Sequence, residues 1–124
     1  MFGNIVDIFR FKSKIYILQG GYKGGSLSEL KIDKEKFYVK KLVNFDTPPL
    51  AAEACDERIF VVSFNGFYIV ENNDFEKVFY NQFWWGLYPS SIAYFDDENI
   101  FIGIRSGIVK IDVKNRIVKF YQQK

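Results

Sequence analysis

The sequence predicts an all-β protein of three four-stranded antiparallel meanders, and three observations lead there. Residues 46–80 overlie residues 87–121 without a gap, at an offset of 41. Aromatic residues make up 19% of the chain, 14 of them Phe, which favours pleated, packed surfaces over helices. The apolar runs are short, about six residues, and are separated by small clusters of Gly, Asn, Asp and Ser, the pattern of hairpins.

Identities carry the repeat along its whole length. Pro48 falls on Pro89, Ala52 on Ala93, Asp56 on Asp97, Glu57 on Glu98, Phe60 on Phe101, Gly66 on Gly107, Phe79 on Phe120 and Tyr80 on Tyr121. Units of about 40 residues holding several short strands are the mark of propeller blades or similar arrays. The length suits one domain with a respectable core. Residues 1–124 are therefore read as a single propeller-like domain, with repeats at about 2–42, 46–80 and 87–121.

In the first unit, residues 4–10, 15–18, 27–33 and 37–42 read as strands. Here Ile15-Tyr16-Ile17-Leu18 overlies Ile59-Phe60-Val61-Val62 at an offset of 44, and residues 19–25 (QGGYKGG) read as an inserted surface loop. Lys31, Lys34, Lys36, Lys40 and Lys41 suit a strand edge kept from pairing by charge. The second unit gives strands at 50–54, 58–64, 66–71 and 75–80. Its Ile59-Phe60-Val61-Val62 is apolar on both sides, as in a strand whose sheet is covered on both faces. The third gives 90–95, 99–105, 107–112 and 116–121. Asn65-Gly66 and Ser106-Gly107 are expected to put Gly66 and Gly107 at positive φ in tight hairpins.

The stretch IFIGIRSGIVKIDVKNRIVKFY (residues 100–121) resembles a blade of the β-propeller superfamily, and is most similar to the short repeats of sensor-kinase periplasmic propellers. The matching positions are Ile102, Gly103, Gly107, Ile108, Ile111, Asp112, Ile117 and Tyr121, whereas Ile104 and Ser106 stand where that pattern has Thr and Gly. The resemblance implies blades and carries no active site. Propellers have four to eight blades, so three leave a very tight ring, a two-chain six-bladed pair, or an open edge that a partner covers. Small residues of the first strands, among them Ala51, Ala52, Ala54 and Ala93, suit a crowded axis.

Chemistry is sparse. The chain has no His, which removes imidazole-based triads and metal sites, and its one Cys, Cys55, reads as a buried small hydrophobe. Residues 20–26 (GGYKGGS) fail the Walker spacing. Asp56-Glu57 and Asp96-Asp97-Glu98 read as turn formers rather than calcium ligands. Asp7 and Glu53 lie in first strands but do not align with each other, Asp7 overlying Ala51 and Glu53 overlying Phe9 and Tyr94. No catalytic residue, cofactor or metal is therefore assigned.

The surface offers more. Residues 81–89 (NQFWWGLYP) hold both tryptophans, and propeller geometry places them on the same end as the glycine loop and Arg105. The expected binding residues are Tyr22, Trp84, Trp85, Tyr88 and Arg105, the residue types that dominate interface hot spots. The expected function is a non-enzymatic protein-binding module, an inhibitor or immunity protein. Its partner is another protein, such as a toxin, or a second copy. The alternative is a small-ligand or glycan-binding propeller with aromatic stacking platforms. A net charge of +2 gives no argument for nucleic acid, and no apolar stretch suits a membrane span or signal peptide, so a cytoplasmic location is expected.

Overall fold

In a computed structural model the protein is all-β. The structure describes residues 3–71, 74–80 and 87–123. Among them are twelve strands: β1 (Asn4–Phe11), β2 (Lys14–Gly20), β3 (Gly25–Asp33), β4 (Lys36–Phe45), β5 (Pro49–Cys55), β6 (Arg58–Ser63), β7 (Gly66–Glu71), β8 (Asp74–Tyr80), β9 (Ser91–Asp96), β10 (Asn99–Ile104), β11 (Gly107–Asp112) and β12 (Ile117–Gln122). They form three antiparallel four-stranded sheets, each pairing its strands in chain order. No described helix is long and apolar enough to cross a membrane.

The sheets stack face to face, and alternation along each strand decides which residues meet. From the second sheet, Ile59, Val61, Tyr68 and Val70 pack against Leu18, Leu27, Val43 and Phe45 of the first. The opposite side of the same strands sends Phe60, Val62 and Phe67 against Ile100, Ile102, Val109 and Ile111 of the third. The doubly apolar β6 is thus covered on both sides, as its sequence implies. First strands meet first strands, β1 against β5 and β5 against β9.

Bulges recur at equivalent places in the first two units. Val6 in β1 and Leu50 in β5, 44 residues apart, each interrupt the register with the second strand. An extra residue on one side of a ladder bends it and increases local twist, which suits curved strands close to a shared edge. The Lys-bearing β4 is an edge of the first sheet, with Lys36, Lys40 and Lys41 exposed along it.

Two local expectations are corrected. No described glycine has positive φ; in the turn after β10 that conformation falls on Ser106 (φ 61°), and elsewhere on Lys12, Lys34, Asp56, Tyr88 and Arg116. Gly107 answers to crowding instead: a Cβ there would lie 2.5 Å from the carbonyl oxygen of Tyr121. Gly66 likewise does not take the left-handed conformation. The inserted segment is not a loose loop. β2 and β3 continue to the Gly20–Gly25 pair, the Gly21 N–H donates to the Gly24 carbonyl at 2.6 Å, and only Tyr22 and Lys23 form the tip.

Candidate binding face

Ion pairs between neighbouring turns align the sheets. At one end, Lys12 after β1 meets Glu57 after β5 at 2.7 Å, and Arg58 at the start of β6 meets Asp97 after β9 at 2.5 Å. The three first turns therefore lie side by side, and the three second turns (Tyr22-Lys23, Phe64-Asn65 and Arg105-Ser106) emerge at the opposite end. Pro48, between β4 and β5, and Leu87 and Ser90, before β9, lie there too.

That end is tied down by its backbone. The Phe64 N–H donates to the Pro48 carbonyl at 3.0 Å, and the Thr47 hydroxyl donates to Asn65 Oδ1 at 2.6 Å. In the third sheet, Arg105 N–H donates to the Leu87 carbonyl at 2.8 Å and Ser90 N–H to the Gly103 carbonyl at 3.0 Å. These bonds fix Tyr88 between two anchored residues at φ 54°, a conformation uncommon for a large side chain. Its ring lies 5.5 Å from the Arg105 guanidinium, and 57% of the residue stays exposed. Tyr22, at the tip of the longer first hairpin, is 88% exposed.

Of the five residues expected to bind, Tyr88 and Arg105 touch. Tyr22 shares their end but belongs to the first sheet, and Trp84 and Trp85 lie outside the described residues. Beside Tyr22 a cavity of about 610 Å³ opens, lined by Gln19, Lys23, Ser26, Lys41 and Asn44 among others.

The opposite end carries the polar chemistry. Asp97 accepts from the Tyr94 hydroxyl at 2.6 Å and from Arg58, and these two bonds hold its carboxyl below the usual range. The same bond to Asp97 pushes the Tyr94 hydroxyl well up. Cys55 is half-buried rather than fully enclosed, and burial pushes its thiol up, away from the thiolate a nucleophile needs. Glu29 is buried between Lys31 and Lys14; burial alone would raise it, but hydrogen bonds from the two ammonium groups prevail and hold it low.

Asp7 and Glu53, which do not align in the repeats, sit on the neighbouring strands β1 and β5. Burial raises the Glu53 carboxyl, and the charge of Asp7 on the neighbouring β1 raises it further. The sequence does not give the stagger between β1 and β5, so this coupling is not legible in the repeat alignment. Among the described residues no group of three or more His, Cys, Asp or Glu stands ready to hold a metal ion. No model of a known protein family matches the chain, and no curated protein matches it.

Proposed function

We propose that the protein is a non-enzymatic binding module whose three sheets stand as propeller-like blades and whose Tyr22, Tyr88 and Arg105 end engages another protein. The observation that carries this reading is the Arg105–Tyr88 pair, an exposed aromatic held in a strained backbone conformation and stacked with a cation. Exposed strain gains nothing for folding, whereas Tyr and Arg held rigid are the residues that contribute most at interfaces. Support for the blade arrangement comes from β5 lying against both β1 and β9, so that first strands gather along one edge of the stack. Occupying a partner in this way is how an inhibitor or an immunity protein acts, and that is the role proposed.

Photo-crosslinking residues placed at Tyr22 and Tyr88, with Glu57 as a control on the other end, test this reading. The expected result is a crosslinked partner protein from the first two positions that is lost on Arg105→Ala. Crosslinks confined to Glu57 would refute it.

A second reading, a small-ligand or glycan site, is favoured by the cavity beside Tyr22, where an exposed ring adjoins Asn44, Gln19 and Lys41. A glycan array followed by calorimetry checks it: saccharide binding that Tyr22→Ala and Asn44→Ala abolish supports the site, and no binding dismisses it.

A further inference from the structure

The two end sheets bear apolar faces that continue the series of interfaces inside the chain. Phe60 and Phe67 press on the third sheet. Their counterparts 41 residues on, Phe101 and Ile108, sit in the same register of the third sheet and look away from the second, joined on that face by Ile117 and Tyr121. All four are exposed. This face repeats the second sheet's at Phe60 and Phe67, while Gly103 and Lys110 stand where that sheet has Val62 and Ile69, with Lys119 paired to Lys110 beside them.

The first sheet shows the complement. Ile59 and Val61 press on the first sheet, and their counterparts 44 residues earlier are Ile15 and Ile17. Leu18 and Leu27 face the second sheet, so alternation turns Ile15, Ile17 and the cross-strand pairs Leu30–Val39 and Ile32–Phe37 the other way. Ile8, paired with Ile17, joins them; Ile17 is already covered within the chain (1% exposed), whereas Ile8, Ile15, Ile32 and Phe37 around it are 57%, 39%, 71% and 58% exposed. At Phe101 and Ile108 on one end, and at Ile8, Ile15, Ile32 and Phe37 on the other, the stack thus carries exposed apolar surface of the kind that its counterparts bury within the chain.

We propose that a second copy supplies the missing neighbours: the third sheet of each chain packs on the first sheet of the other, closing a two-chain array of six sheets. Four strands of six residues present about 400 Å² at usual strand spacing and rise, so a closed pair covers four such faces, about 1,600 Å², the size of a standard stable interface. Such a contact is head-to-tail, and it closes only if the stack curves. Closure at two rests on the blade arrangement proposed above, and the pairing of faces does not.

Light scattering on size-fractionated protein at micromolar concentration tests the pair. Wild type is expected at the mass of two copies. Ile8→Lys with Ile15→Lys, and separately Phe101→Glu with Ile108→Glu, are expected as single copies with unchanged circular dichroism. Mixing the two variants is expected to restore the two-copy mass, because one wild-type interface and one Lys–Glu interface then form together. Single-copy wild type, variants that still pair, a mixture that stays single, or a mass that grows with concentration without limit would each overturn the proposal. Failure of the Tyr22 and Tyr88 reading appears in the crosslinks and leaves these masses unchanged.

Discussion

Phe60 and Phe101 hold the same position in successive repeats, and stacking order makes them unequal. Phe60 has no exposed surface; its ring centroid lies 5.7 Å from Phe67 and 5.2 Å from Tyr94, and the Arg58 guanidinium is 5.1 Å away. Phe60→Ala leaves a cavity between two sheets and is expected to cost about 3–5 kcal/mol. Phe101 is already 37% exposed and has solvent on its outer side. Water fills the space its ring leaves, so no cavity is added, and the loss of the remaining contact is about 1 kcal/mol. Urea unfolding of both variants, made on the Ile8→Lys and Ile15→Lys background to keep the chain single, measures the difference. Equal losses within about 0.5 kcal/mol, or a larger loss at Phe101, would refute the two-sided burial of the second sheet.

Gly107→Ala is expected to destabilise by about 1–3 kcal/mol because its Cβ meets the Tyr121 carbonyl, while Ser106→Gly is neutral or stabilising by up to about 1 kcal/mol because it relieves the left-handed residue; thermal unfolding of the two separates crowding from φ. Asp97, depressed in the fold, contributes stability that is complete above its unfolded value near 4 and is lost as pH falls through the folded value. The melting-temperature advantage of wild type over Asp97→Asn should therefore be present at neutral pH and shrink below about pH 4. Glu53 is raised, so its ionised form weakens the fold at neutral pH. Glu53→Gln should melt higher than wild type at pH 7, with the gap closing as acid protonates Glu53.

Most of the fold was legible because strands and turns are local. The expected spans at 66–71 and 107–112 coincide with β7 and β11, and the both-sides-apolar β6 foretold a sheet with two neighbours. Turn conformation was misread at Ser106-Gly107, because sequence favours Gly for positive φ while the contact with Tyr121, fourteen residues away, reserves Gly107 for another reason. The length of the first hairpin was missed because glycines at 20, 21, 24 and 25 read as a loop, yet they extend the ladder. In the candidate site, Tyr88 and Arg105 were foreseen as neighbours from the topology of fourth-strand exits and second turns. The Arg58–Asp97–Tyr94 link was not, although Asp97 occupies the turn position of Asp56 in the preceding repeat. Contacts between repeats depend on stagger between sheets, which a repeat alignment does not contain.

Native-state hydrogen exchange on the single-copy background tests the stacking order most directly. With both of its faces covered, the second sheet should open last, so β6 and β7 amides are predicted to exchange more slowly than those of β2, β3, β10 and β11. Equal protection across the three sheets, or slowest exchange in β10 and β11, would contradict it.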